Sequence, residues 1–460
     1  MMGDPRFAPF AEKMKAEGLP DVVIRTFAHS YGQLLRGETG LIPEADIQPV
    51  ENLPDAEALP QQLTEKGCQA LAKTVLLKLN GGLGTGMGLD RAKSLLPVKD
   101  GLTFLDIIAR QALAADIPLV LMNSFSTRDD SLSALRSYPE LRGPIPLDFL
   151  QHKVPKIRQD DFSPADSPET PALEWNPPGH GDIYPALLTS GLLDKLLEEG
   201  FRYVFVSNAD NLGAVMDLAI LGYFAESGAP FLMEVADRTD ADRKGGHLAR
   251  FPDGQLLLRE TAQCSTADEE CFQDISRHRY FNTNSLWLNL ELLKRVLQQR
   301  QGVLGLAPIY NRKTLDPREP TSPSVIQVET AMGSAISVFP DAQAIRVPRA
   351  RFAPVKTTED LLLVRSDVYQ LNEQYCVVPN AERRQPLPVV RLDSRYYKMI
   401  DDFDTRFPAG VPSMLNCQRL TIEGDVRFGA SVVCTGDVRL ENLSAEQIFI
   451  DDFTQLGREI

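Results

Sequence analysis

Four short runs of β-forming residues, each ending in polar or small side chains, constrain the fold more than any other feature of this chain. They are "TVLLKLN" (74–80), "PLVLMNS" (118–124), "FRYVFVSNAD" (201–210) and "PFLMEVAD" (230–237). Each is apolar enough to be buried on both faces, as strands inside a parallel sheet are. Between them lie stretches with helical spacing of apolar residues, among them "LTFLDIIARQALAA" (102–115) and "GLLDKLLEEG" (191–200). Strands alternating with helices fold as a mainly parallel, Rossmann-like α/β sheet whose ligand site lies beyond the strand carboxyl ends. Chemistry is therefore expected at "LNGG", "MNS", "SNAD" and "EVAD".

The flanks depart from this pattern. In "PDVVIRTFAHSYGQLLR" (20–36), Ile24, Phe27, Tyr31, Leu34 and Leu35 share one helical face, and Gly37 stands where a helix would stop. Residues 38–60, rich in proline and acid, read as an extended connection without chemistry of its own. From 418 onward Leu420, Val426, Val432 and Val438 recur every six residues, and "GDVR" appears twice, twelve residues apart. That period matches a short parallel β-helix, with a pair of hairpins as the alternative.

Composition narrows the ligand. A net charge of −15 argues against a broad nucleic-acid-binding surface, so an anionic ligand would need a local cluster of lysines. No apolar run reaches the ~20 residues of a membrane span, and "MMGDPRFAPF" lacks the basic start and apolar core of a secretion signal. The six cysteines (Cys68, Cys264, Cys271, Cys376, Cys417, Cys434) show no CxxC spacing, so neither a zinc site nor a disulfide framework is expected. A cytoplasmic protein is the expectation.

The stretch "NGGLGTGMGLDRAKS" (80–94) follows the first strand and holds five glycines in nine positions. Without Cβ atoms in the way, backbone N–H groups can approach phosphate oxygens closely. A P-loop needs lysine beside its last glycine, but Lys93 follows Ala92. A dinucleotide GxGxxG fails as well, because the final position falls on Met87 or Leu89. What remains is a nucleotidyltransferase loop with Lys93 reaching back to a triphosphate, or a turn without a ligand.

In this context "LKLNGGLGTGMGLDRAKSLLPVKDGLTFLDI" resembles the signature of the eukaryotic-type UTP–glucose-1-phosphate uridylyltransferase (UDP-glucose pyrophosphorylase) family. "LMNSFSTRDDS" (121–131), "QHKVPKI" (151–157), "EWNPPGHGDIYPAL" (174–187), "FVSNADNLGA" (205–214) and "MEVADRTDADRKGG" (233–246) are similar to that family too. So are "FNTNSLWLNL" (281–290), "VIQVETAMGSAI" (325–336) and "RFAPVKTTEDLLLV" (351–364), all in the family's order. The resemblance implies a GT-A-like nucleotidyltransferase domain over 71–365, after an N-terminal helical segment and linker (1–70) and before a connection and left-handed β-helix domain (366–460). It also implies transfer of a uridylyl group from UTP to glucose 1-phosphate, giving UDP-glucose and pyrophosphate.

Residue roles follow from the same resemblance. Lys93 and Lys356 would be the catalytic cations, with Lys356 just before a capping box formed by Thr357 and Asp360. Asp210 would hold Mg²⁺, which takes most of its ligands from water and substrate phosphates. Leu79, Asn80, Gly81, Gly82, Gln151, Gly179 and Asn208 would join Lys93 and Asp210 around the nucleotide. His180, Asn208, Lys244, Gly245, Gly246, Asn282, Asn284, Glu329 and Lys356 would line the sugar side, with His180 donating hydrogen bonds rather than acting as a base. Two departures stand out: Ala92 where the family usually has proline, and Ser285 where "NTNN" is usual.

The same chemistry on galactose 1-phosphate or an N-acetylhexosamine 1-phosphate is the alternative, as is a UDP-sugar-binding regulator without turnover. Gly86 and Met87 favour plain glucose, since relatives acting on N-acetylhexosamine carry an arginine near the loop start. Some family members form homo-oligomers through the tail; the close of the chain at "QLGREI" speaks against a large one here.

Overall fold

A computed structural model describes residues 4–38 and 40–457. Met1–Gly3 of the opening stretch, Thr39, and Arg458–Ile460 of the closing "QLGREI" lie outside the described residues. The four apolar runs are all strands of one seven-stranded sheet. In chain order its strands are β1 (Thr74–Asn80), β2 (Leu119–Asn123), β3 (Asp148–Leu150), β4 (Tyr203–Asn208), β5 (Phe231–Asp237), β6 (Tyr280–Asn289) and β7 (Gln343–Arg346). They lie side by side as β7-β5-β6-β4-β1-β2-β3. Only β6 runs against its neighbours; the other pairs in this sheet are parallel.

Alternate side chains fill a core on each face. Val75, Leu77, Val204 and Val206 face one core, and Leu76, Phe205, Leu232 and Trp287 face the other. Burial on both faces is why these strands read as continuous apolar runs. Helix α1 (Asp21–Leu35) buries Ile24, Phe27 and Tyr31, while Leu34 and Leu35 stay partly exposed. Helix α2 (Phe104–Ala114) starts on a Thr103–Asp106 capping box, and α3 (Thr358–Arg365) starts on the expected Thr357–Asp360 box.

Segment 38–60 is more than a connection. Gln48–Pro49 pairs antiparallel with His247–Arg250, and the Glu44 carboxylate accepts from Arg259 at 2.7 Å and Arg277 at 2.8 Å. Its prolines and acids hid these long-range partners from a local reading.

In the tail, β8 (Val389–Leu392), β9 (Ser413–Glu423), β10 (Val426–Phe428), β11 (Val433–Glu441), β12 (Ile448–Ile450) and β13 (Gln455–Leu456) form two separate sheets, β8-β9-β11-β13 and β10-β12. Every pairing in them is parallel, which excludes hairpins, whose strands pair antiparallel. Leu420, Val426, Val432 and Val438 are all buried, as the six-residue period requires. Their core is continuous with Met87 of the glycine loop, Val355 and Leu361 of α3. Among the described residues no helix is long and apolar enough to cross a membrane, and all six cysteines are free.

Beneath the carboxyl edge of the sheet lies a buried ion pair. Arg351 donates to the Glu234 carboxylate from Nε at 2.8 Å and Nη2 at 2.7 Å, and Trp287 Nε1 donates to the same carboxylate at 2.9 Å. Arg351 also reaches the Val215 carbonyl at 2.9 Å. Leaving one buried charge unpaired costs far more than deleting both. Arg351→Met should therefore lower unfolding free energy by about 3–5 kcal/mol, and Glu234→Met/Arg351→Met should recover much of that loss; urea unfolding of both variants checks it.

Candidate active site

The site begins where β1 ends. After Asn80 the chain turns through the glycine loop, where Gly84 takes φ +70° and Gly88 φ +78°, and a 3-10 turn spans Thr85–Met87. The Lys93 amide returns to the Gly82 carbonyl at 3.1 Å, which brings Lys93 back over the loop's start. A Cβ at Gly81 would lie 2.6 Å from Gln151 Oε1, so a larger residue there would push the glutamine side chain aside. The side-chain amide of Gln151 thus lies directly against the loop backbone.

Lys93 Nζ meets Asp210 Oδ2 at 2.6 Å, joining the glycine loop to the end of β4. The loop that carries Lys356 is tied to the same point. Val355 donates its amide to the Asp210 carbonyl at 3.1 Å, and Asn211 Oδ1 accepts from the Ala353 amide at 3.0 Å. Asn211 Nδ2 donates to the Arg351 carbonyl at 3.1 Å. The Asp360 carboxylate accepts the Lys356 amide at 2.8 Å, so the backbone at Lys356 is held while its side chain stays exposed.

Two clefts meet at this edge. One, of about 300 Å³, is lined by Leu79, Asn80, Gly81, Gly82, Lys93, Gln151, Gly179, His180, Asn208 and Asp210, among others. The second, of about 410 Å³, shares His180 and Asn208 with it and adds Gly245, Gly246, Asn282, Asn284 and Lys356. All the residues expected around the nucleotide therefore border the first cleft. Among those expected around the sugar, Lys244 and Glu329 line neither. Lys244 is exposed, and Glu329 lies beside Thr330, whose amide donates to the Pro178 carbonyl behind the loop.

Three polar residues of the second cleft escaped the sequence reading: Asn211, Asp242 and Glu260. Glu260 follows a short antiparallel pair, His247–Arg250 with Leu256–Arg259, and a Cβ at Gly246 would lie 2.6 Å from its Oε2. Burial pushes the Glu260 carboxyl up. An acid at the end of an apolar run was the only signal available. Ser285 is fully buried and lines neither cleft, because it lies on the opposite side of β6 from Asn282 and Asn284. It is not the departure near a sugar that the sequence suggested. Asn284 reaches the cleft with φ +59°, beside a register shift between β5 and β6.

The family model described as UTP–glucose-1-phosphate uridylyltransferase matches residues 24–435. The chain belongs to this family. It is 38% identical to the UTP–glucose-1-phosphate uridylyltransferase of Hordeum vulgare, over 97% of this chain and 96% of that one. Its fold is similar to a mutant UDP-glucose pyrophosphorylase from Leishmania major in complex with UDP-glucose (TM-score 0.90, 45% identity, 98% of each chain). A Trypanosoma brucei UDP-glucose phosphorylase is similarly close (TM-score 0.89, 45% identity, 99% of each chain).

Within the uridylyltransferase family's site the ionisation of His180 is set by its surroundings. Nδ1 accepts from the Met332 amide at 2.9 Å, which assigns the ring proton to Nε2. Burial pushes the imidazole down to about 4, so it is neutral through the physiological range. A neutral ring with Nε2–H on the cleft side is a donor. His180→Gln should lower turnover without changing the shape of the pH–rate profile between pH 5.5 and 8; loss of an acidic limb in the variant would identify a base instead.

Ala92 is buried with φ −52° and ψ 123°, angles that a proline can adopt. The backbone at this position is thus already preset for a proline. Ala92→Pro should raise stability by about 0.4–1 kcal/mol, read as a higher Tm with an unchanged KM for the nucleotide.

Proposed function

We propose that this chain transfers the uridylyl group of UTP to α-D-glucose 1-phosphate, releasing pyrophosphate and UDP-glucose. The observation that carries this is the convergence of Lys93, Asp210 and Lys356, from three distant segments, on two joined clefts. A phosphate oxygen of the sugar phosphate attacks the α-phosphorus of UTP, and the bond to the leaving pyrophosphate breaks. The attacking oxygen is already ionised, so no general base is needed, in keeping with a neutral donor at His180. The barrier is the approach of two anions, and preorganised cations lower it.

In this reading the uracil lies against the Gly81–Gly82 backbone and Gln151, and the sugar occupies the second cleft near Asn282 and Asn284. Lys93 and Lys356 flank the α-phosphate from opposite sides. Asp210 suits Mg²⁺: a hard carboxylate, with Oδ2 on Lys93, lining the first cleft. One carboxylate is enough for such an ion, because Mg²⁺ takes its other ligands from water and substrate phosphates. When bound it would neutralise phosphate charge.

The sheet is read as a GT-A-like nucleotidyltransferase domain and the tail as a short left-handed β-helix, supported by parallel pairing and by buried residues six apart. In this reading copies of the chain associate through the tail, supported by exposed Leu443, Phe449 and Phe453 there. Six free cysteines support a cytoplasmic location.

Pyrophosphate release measured with UTP, TTP and ATP against glucose, galactose and N-acetylhexosamine 1-phosphates tests the reading. UTP with glucose 1-phosphate should be the best pair, and Lys356→Ala should lower kcat by roughly 10²–10³-fold. Unchanged turnover in that variant would overturn the mechanism; preference for another sugar would overturn the substrate alone.

A further inference from the structure

Gln151 and the Gly179–His180 turn both border the first cleft, yet they come from separate segments of the chain. Away from the cleft those segments meet in an acid–histidine pair that the chemistry above does not use. The His152 amide donates to Asp182 Oδ2 at 2.6 Å, and His152 Nδ1 lies 2.9 Å from Oδ1 and 3.0 Å from Oδ2. A carboxylate only accepts, so the ring donates from Nδ1. Nε2 lies 3.0 Å from Thr189 Oγ1, at the end of the helix Ile183–Thr189 that continues from Asp182. Asp182 is buried and the His152 side chain nearly so, and neither residue lines either of the two clefts.

Both ends of this tie are fixed. A Cβ on Gly179, where φ is +77°, would lie 2.5 Å from the Thr330 carbonyl oxygen, and one on Gly181 would lie 2.3 Å from Thr330 Oγ1. The turn is therefore pressed against Thr330, and the Met332 amide donates to the His180 ring. On the other segment the Gln151 amide donates to the Asn123 carbonyl at 2.8 Å, while its side chain rests against Gly81. Close packing transmits a shift rather than absorbing it, so withdrawing the Asp182 carboxylate would free Gln151 and the turn to move relative to one another. Further along, Val154–Pro155 pairs with Trp175–Asn176, which keeps the two segments joined without the pair.

We propose that Asp182 and His152 are positioning residues for the choice of base, a role that rests on the uridylyl-transfer reading. They hold Gln151 at a fixed distance from the Gly179–His180 turn, and so fix the side-chain amide that faces the base. Uracil and cytosine are nearly equal in size and differ in their hydrogen-bonding edge. Where uracil has N3–H and a carbonyl at C4, cytosine has a bare N3 and an amino group. A glutamine amide carries a donor and an acceptor side by side, and turning it over exchanges them. It separates the two bases only while it is held in one orientation, since rejection of the wrong base depends on leaving polar groups unpaired.

Pyrophosphate release by the full-length protein, with UTP or CTP and glucose 1-phosphate, tests this role. Asp182→Ala should raise KM for UTP roughly tenfold and lower the UTP-over-CTP ratio of kcat/KM by roughly tenfold, with KM for glucose 1-phosphate within about twofold. His152→Ala, which keeps the backbone amide bond, should shift the ratio in the same direction by less. Asp182→Asn, whose Oδ1 still accepts that amide, should restore much of the ratio. Circular dichroism and Tm report folding, and if Asp182→Ala does not fold, His152→Ala decides. An unchanged UTP-over-CTP ratio in the folded variant overturns this assignment alone. If KM for both substrates rises together at an unchanged ratio, the pair is structural and the assignment also falls. If wild type shows no turnover with UTP and glucose 1-phosphate, the uridylyl-transfer reading fails first and takes this one with it.

Discussion

The buried Glu234–Arg351 pair is the constraint on which the site depends. Glu234 stands on β5, Trp287 beside it on β6, and Arg351 five residues before Lys356. Through the Val215 carbonyl the same guanidinium holds the chain that follows Asp210. A carboxylate and a guanidinium out of water tolerate no loose geometry, since each needs the other to offset its desolvation. The pair therefore sets where the Lys356 loop leaves the sheet, and Asn211 repeats the tie closer to the surface. Buried Lys78 extends the polar layer to β1, donating to Ser207 at 2.7 Å and to the Ala214 carbonyl at 2.9 Å.

Above this layer the chemistry is electrostatic. Lys93 and Asp210 already neutralise one another at 2.6 Å, so the glycine loop is held in place before any phosphate arrives. Among the described residues no carboxylate pairs with the Lys356 ammonium, which borders the second cleft. The two lysines thus differ in setting: Lys93 is ordered by Asp210 at 2.6 Å, whereas Lys356 lines the second cleft with its side chain exposed.

Much of the site was legible because its residues lie at strand ends and in a glycine loop, where spacing carries meaning. Asn80, Asn208 and Asp210 follow apolar runs whose ends any parallel sheet exposes at one edge. Asn211, Asp242 and Glu260 were not legible, because their place in the cleft comes from packing between segments far apart in sequence. Ser285 misled for a related reason: one residue's shift along a strand reverses the face a side chain occupies. Segment 38–60 read as a connection since nothing local reveals that Glu44 will meet Arg259 and Arg277.

The tail shows the same division. Its six-residue period marked the residues that would be buried, and the structure buries all four. Parallel rather than antiparallel pairing, and a core shared with Met87 and α3, came only with the tertiary structure. Resemblance to the family pointed to Lys93, Lys356 and Asp210; by itself the sequence determined the sheet, the glycine loop and the polar strand ends. These depend on local periodicity and backbone freedom, which neighbouring residues encode. Which lysines share a cleft, and which acid each one meets, was decided by packing across hundreds of residues, where distance along the chain carries no information about distance in space.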